Sequence, residues 1–243
     1  MDSGIESDHP SLVGRTIPNF EVLPVAMGND VTYRVEEAPA GDAFGHGTAV
    51  ASLLVEHAKG VAITSLRMLD SDRQGSSERV LAGLRWAIEH KFDIVNCSFG
   101  TFGPATSKFL PYYKRVIDVA FCENVLLIGA CSNSDHKLTS LPASFPSVLS
   151  TDAGRLDNTQ LPELYRRRGQ LIEFVTRGVD VSVGWKDGSS RLVTGSSFAA
   201  PHLAAIVARL RQLRPRWNAC QVKSALYRMA KPLTPELEKE FDA

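Results

Sequence analysis

No apolar run in the 243-residue chain is long enough to cross a bilayer, which argues against a helical membrane span. Net charge is missing too. The 27 lysines and arginines balance 27 aspartates and glutamates, so nothing electrostatic points to nucleic acid or an anionic membrane. The short run Arg166-Arg167-Arg168 reads as a solvated loop rather than a phosphate site. Cysteine is scarce: Cys97, Cys122, Cys131 and Cys220 are scattered, with no CxxC pair and no His-Cys cluster. Buried free thiols are expected of them, not a metal site. The N-terminus also lacks the charged and apolar regions of a signal peptide. These absences lead to the expectation of a cytoplasmic protein with no cofactor, no metal, no nucleic-acid partner and no membrane partner.

What is present is the composition of a globular domain, 44% hydrophobic and 22% charged. Apolar runs that read as buried strands alternate with helical patterns, which predicts an α/β fold: a mainly parallel sheet with helices on both faces. Strands are expected at 63–68, 93–97, 125–129, 148–150 and 171–175, and helices at 48–54, 76–90, 107–123, 197–213 and 219–230. The polar segment 154–169 reads as a loop. One domain is expected over 1–233, followed by a polar tail or frayed helix over 234–243.

The stretch "VTGSSFAAPHLAA", residues 193–205, places two serines and a glycine before a run of small apolar residues. Serine at this corner reads either as a helix cap or as a nucleophile held at a helix N-terminus. With a helix starting near Ser197, Pro201 falls among the first positions, whose N–H groups lack intrahelical partners. A serine nucleophile needs a base. Of six histidines, His46 has the telling setting, between Gly45 and Gly47 at the start of a small-residue helix in "DAFGHGTAVASLL". A carboxylate must hold that base, and "MDSGI" offers Asp2.

Asp2-Ser3-Gly4, Gly45-His46-Gly47-Thr48 and Gly195-Ser196-Ser197-Phe198-Ala199-Ala200-Pro201, in this order, resemble the motifs of the subtilisin-like serine proteases, the subtilases. The resemblance covers nearly the whole chain. It implies the three-layer subtilisin-like fold, with Asp2, His46 and Ser197 as the catalytic triad. It also implies that Asn133, in Ala130-Cys131-Ser132-Asn133, lines the oxyanion hole with the Ser197 backbone N–H. By itself Asn133 would read as a turn residue. Ser98-Phe99-Gly100 matches the family's substrate-binding segment, and Ser132 lies beside the primary pocket. The partner implied is a peptide or protein substrate, held by main-chain pairing.

The chain departs from the family at several places. Ser196 stands for a threonine, a mild change, and Cys131-Ser132 stands for Ala-Gly beside the primary pocket, where it is expected to narrow the pocket and leaves the primary specificity open. Thr176-Arg177-Gly178 replaces Ala-Pro-Gly, and no Asp-rich loop suggests calcium. The largest departure is at the front, where relatives have a buried strand before the aspartate and only Met1 precedes Asp2. Asp2 is therefore expected to fray, in a chain that is truncated or begins at an internal methionine. Such a chain should be less stable and less active than one extended upstream. Two other readings share parts of this pattern: an inactive peptide-binding module, and an ester hydrolase, although the Gly-x-Ser-x-Gly elbow is absent.

Overall fold

A computed structural model describes residues 1–28, 30–71, 75–156 and 163–242. The chain opens with β1 (Gly4–Ile5), the hairpin β2 (Asn19–Met27) and β3 (Asp30–Glu37), β4 (Gly41–Asp42) and helix α1 (His46–His57). Next come β5 (Ser65–Arg67), α2 (Ser77–Glu89), β6 (Ile94–Cys97), α3 (Pro104–Cys122), β7 (Leu126–Ala130) and β8 (Leu149–Gly154). After β9 (Tyr165–Arg166) and β10 (Phe174–Arg177), β11 (Val181–Trp185) and β12 (Ser189–Val193) form a second hairpin. The chain closes with α4 (Ser196–Leu213), α5 (Ala219–Met229), β13 (Lys231–Pro232) and α6 (Pro235–Asp242).

The main sheet has the order β13-β9-β10-β8-β7-β6, and β6, β7, β8 and β10 run parallel. β7, between β6 and β8, is buried along its whole length. Because successive side chains of a strand point to opposite faces, Leu127 packs with Leu84 of α2 and Ile117 of α3. Leu126 and Ile128 pack on the other face with Leu203 of α4 and Leu226 of α5. Three layers result, as expected. A second sheet, β3-β2-β5, carries the strand that follows α1. No helix among the described residues is long and apolar enough to cross a membrane.

Most expected elements lie within a few residues of their observed bounds, and the differences have local causes. α2 starts where Ser76 Oγ accepts a hydrogen bond from Arg79 N at 3.1 Å, a side-chain cap. α3 begins at Pro104 rather than 107, since proline is tolerated in a first turn. The arginine run corrects the sequence reading. Arg167 is buried, and its guanidinium pairs with Asp152 at 2.9 Å and Glu238 at 2.6 Å. Glu238 belongs to α6, so this pair ties the C-terminal helix to β8. β9 also lies inside the segment expected to be a loop, part of which, 157–162, falls outside the described residues. Of the four cysteines Cys97 and Cys131 are buried thiols, whereas Cys122 and Cys220 are exposed.

The front of the chain corrects another expectation. Asp2 is buried and bridged in parallel to Arg67. Its N–H donates to Leu66 O at 3.1 Å, and its carbonyl accepts from Met68 N at 2.9 Å and Leu69 N at 3.2 Å. Backbone pairing with β5 holds Asp2 where a free terminus would fray.

Candidate active site

Asp42, just before α1, organises the entry to that helix. Its carboxylate accepts from Gly45 N, Thr48 N and Thr48 Oγ1, each at 2.7 Å, and from Phe44 N at 3.0 Å. These contacts satisfy first-turn N–H groups that have no intrahelical acceptor. Ser3 Oγ donates to the same carboxylate at 2.7 Å, which joins the Asp2 segment to the start of α1. Gly47 permits the approach. A Cβ there would lie 2.0 Å from Gly4 O and 3.1 Å from Asp2 Cβ.

The result is a buried pair in which His46 Nδ1 lies 2.7 Å from Asp2 Oδ1. The same oxygen accepts from Ser3 N at 2.8 Å. Burial alone would raise the Asp2 carboxyl. The opposing charge and hydrogen bond of His46, with the Ser3 amide, override it and hold the pKa below the ordinary carboxylate value. An ionised carboxylate only accepts, so Nδ1 carries the proton and Nε2 is the basic nitrogen.

Ser197 is the second residue of α4, whose first turn carries the remaining groups. The helix begins at Ser196, with Gly195 before it, so Pro201 is its sixth residue rather than one of the first four. The shift has a consequence. A proline withholds the N–H that would bond the carbonyl four residues back, here Ser197 O. Ser98 Oγ donates to that carbonyl instead, at 2.8 Å, and accepts from Asn96 Nδ2 at 2.8 Å. The Ser98 side chain, expected to line the substrate cleft, is thus buried and braces the Ser197 backbone.

Phe99 and Gly100, half-buried, continue from Ser98. A Cβ on Gly100 would lie 2.5 Å from Ser140 Oγ and 2.6 Å from the Phe102 ring, so Ser140 and Phe102 wall this segment. Asn133 sits on the other side. Its Oδ1 takes Ser196 N at 2.8 Å and lies 2.9 Å from Ser196 Oγ, which also reaches Cys131 O at 2.8 Å. With Oδ1 engaged, the carboxamide is fixed and Nδ2 remains as its donor. Ser132, next to it, is buried, and its Oγ accepts from Ser134 N at 3.2 Å.

The first turn of α4 therefore touches both sides of the site. Phe198 packs against the His46 ring at a tilt of 48°, with centroids 5.0 Å apart. Ser196 anchors Asn133. The Gly195 position is 3.4 Å from the Asn133 amide and 3.5 Å from Ser197 Oγ, measured to a Cβ built there. Behind Asn133, the Cys131 thiol donates to Asp152 at 3.1 Å, and burial raises its pKa. Two positioning residues, Ser196 and Asp42, did not stand out in sequence. The signal for Asp42 was its place just ahead of a glycine-flanked helix start. That for Ser196 was a hydroxyl next to the candidate nucleophile, which acquires meaning only once Asn133 is known to lie beside it. The first turn of α4, which carries the Ser197 hydroxyl, thus lies against the carboxylate-held imidazole through Phe198 and against the amide of Asn133 through Ser196.

Comparison with known proteins gives the family and the fold. The chain matches the profile of the subtilase family, peptidase S8, over residues 1–241. It is 28% identical over 239 residues to subtilisin amylosacchariticus of Bacillus subtilis subsp. amylosacchariticus, covering 93% of this chain and 58% of that protein. Against the subtilisin of Bacillus pumilus identity is 27%, covering 93% of this chain and 80% of the relative. The chain thus spans less than two thirds of the first relative's length. Among solved structures, sphericase superposes with a TM-score of 0.70 at 18% identity, covering 93% of this chain and 79% of that one. A cold-adapted subtilisin-like serine proteinase gives 0.69 at 22% identity, covering 92% and 77%. A match along nearly its whole length, with the fold to go with it, makes this chain a member of the subtilase family.

Proposed function

We propose that the chain is a serine endopeptidase that cleaves peptide bonds through an acyl-enzyme intermediate. Ser197 Oγ attacks the scissile carbonyl as His46 Nε2 takes its proton. Asp2 holds the imidazole in the required tautomer and stabilises the imidazolium. Asn133 Nδ2 and the Ser197 N–H, a first-turn amide without an intrahelical acceptor, bind the developing oxyanion. His46 then returns the proton to the leaving amine, and water repeats the sequence to free the acyl group. The substrate backbone lies along residues 98–100 and pairs with main-chain groups, so that pockets rather than backbone choose the sequence.

The observation that carries this reading is the buried contact of 2.7 Å between Asp2 and His46, made by residues 44 positions apart. Substituting Asp2→Asn keeps the shape and removes the charge that selects the tautomer. We expect kcat for peptide hydrolysis to fall by about four orders of magnitude, with KM little changed. Unchanged kcat in a folded Asp2→Asn protein would contradict the reading.

A further inference from the structure

Asp152 of β8 joins two sets of contacts that the proposed mechanism does not use. Successive side chains of a strand point to opposite faces. Thr151 faces α4: its Oγ1 lies 3.1 Å from Thr176 Oγ1, which donates to Ala199 O at 2.8 Å. Asp152 faces the other way, and its two carboxylate oxygens have different partners. Oδ2 accepts from Arg167 Nη2 at 2.9 Å, and Arg167 Nε donates to Glu238 Oε1 of α6 at 2.6 Å. Oδ1 accepts from Ala153 N at 2.8 Å and from the Cys131 thiol at 3.1 Å. The thiol also lies 3.4 Å from Ser132 O, but an ionised carboxylate is the stronger acceptor.

Helix α6 is seated over this strand. Glu238 and Phe241, three residues apart, share one face of the helix. Phe241 meets the Tyr165 ring edge-on with centroids 5.6 Å apart, and a Cβ on Gly154 would lie 3.2 Å from its ring. Arg167 is buried, so its charge needs the carboxylates it meets. The His136 ring lies 3.8 Å from Asp152 and 3.9 Å from Glu238. With both oxygens engaged, Asp152 has one orientation. From it the contacts lead to the Asn133 amide. Cys131 follows β7, and β8 holds it twice, by Asp152 on its thiol and by Thr151 O on its N–H at 3.1 Å. The Cys131 carbonyl is 2.8 Å from Ser196 Oγ, and Ser196 N holds Asn133 Oδ1 at 2.8 Å. Asn133 is two residues beyond Cys131, so a shift of Cys131 moves its amide relative to the Ser197 N–H.

We propose that Asp152 is a positioning residue for the oxyanion-binding amide of Asn133, and that α6 holds it in place through Glu238 and Arg167. This rests on the hydrolytic reading of Ser197. Asp152 touches no reacting atom. It aims a donor whose value lies in being aimed before charge develops. Asparagine at this position keeps the shape but not the role. Its single carboxamide oxygen goes to the guanidinium, and its NH2 then meets the thiol and the Ala153 N–H, donor against donor.

The test follows hydrolysis of succinyl-tri-alanine p-nitroanilide by the full chain, at a temperature well below unfolding. The small side chains of this probe suit a narrowed primary pocket. Asp152→Asn should lower kcat about tenfold with KM little changed, a smaller loss than deleting the Asn133 amide itself. Glu238→Ala should lower kcat by about threefold or more. Each change is then repeated in an Asn133→Ala chain, where no amide remains to be aimed, and there it should cost less than about twofold. A merely structural role would lower the midpoint of thermal unfolding but leave kcat of the folded protein where it was. Should Asp152→Asn not fold, Glu238→Ala decides by itself. Unchanged kcat in either folded variant, or an equal loss with and without the Asn133 amide, overturns the proposal and leaves the hydrolytic reading standing. A parent chain that neither cleaves the anilide nor takes a fluorophosphonate label on Ser197 overturns both.

Discussion

Asn133 shows how one side chain acquires a direction. Its carboxamide could turn either way, but two groups of Ser196 hold Oδ1, so the donating Nδ2 is the group left over. A donor aimed in advance at developing charge costs no reorganisation during the reaction, and this makes it valuable. Asn133→Ala should lower kcat by about two to three orders of magnitude with KM nearly unchanged, as steady-state kinetics would show. That magnitude is carried over from subtilisin, a relative of this chain. Equal turnover would remove Asn133 from the chemistry. Ser196 and Asn133 are 63 residues apart, which explains why Ser196 reads in sequence as a mild replacement. Its role depends on a contact that no local pattern announces. Asp42 escapes notice for the same reason, since its bond to Ser3 spans 39 residues.

Secondary-structure elements decide how closely these side chains meet. Helix α1 comes against the segment 2–4 because Gly47 has no side chain. Replacing it with alanine has two opposed effects. Helix propensity gains about 1 kcal/mol, while a Cβ 2.0 Å from the Gly4 carbonyl must push backbone aside. Overpacking of this kind costs about 1–3 kcal/mol, so the clash outweighs the propensity gain. Gly47→Ala should therefore lower stability in urea titrations and reduce kcat, because the same displacement loosens the Asp2–His46 contact. A more stable, fully active variant would contradict this.

At this scale the sequence is legible wherever periodicity is strong. The apolar spacing of α2 and the unbroken run of β7 both announce their place in the core. The hairpin β2–β3 is hidden by the mostly half-buried β2, the mostly exposed β3 and Pro24. The hairpin β11–β12 did carry a signal. Asp187-Gly188 forms its turn, with φ of 62° and 64°, the positive values that favour such a dipeptide. Pro201 was legible as a residue, but its effect, freeing Ser197 O for Ser98, needed the true start of α4.

Across the whole molecule, stability should depend on pH through a histidine that takes no part in the proposed chemistry. His202 is buried in α4, where Nδ1 donates to Phe198 O at 2.9 Å and Nε2 has no hydrogen-bond partner among the described residues. Burial, helped by nearby His57 and Arg177, pulls its pKa down to about 4 from 6.5. Between these values the unfolded chain binds a proton that the folded one refuses. Its contribution is therefore complete above pH 6.5 and is lost as pH falls toward 4. The loss amounts to about 3 kcal/mol at most. His57, whose ring centroid is 4.6 Å from that of His202, is shifted the same way by its own burial, so it adds to the decline. Asp2 acts lower, below the ordinary carboxylate range, because its pKa is depressed. Denaturant titrations at pH 7, 5.5 and 4.5 should show a steeper decline for the parent than for His202→Gln, and parallel curves would refute this assignment.

In the proposed mechanism the Asp2–His46 pair and the anchored asparagine act on one hydroxyl at the start of α4. Treatment of the purified chain with a fluorophosphonate, followed by mass spectrometric mapping, reads that hydroxyl. The label should appear on Ser197, should vanish in Ser197→Ala, and should form far more slowly in a folded His46→Ala variant. Absence of label, or a label on Ser196 that survives Ser197→Ala, would contradict the proposed mechanism.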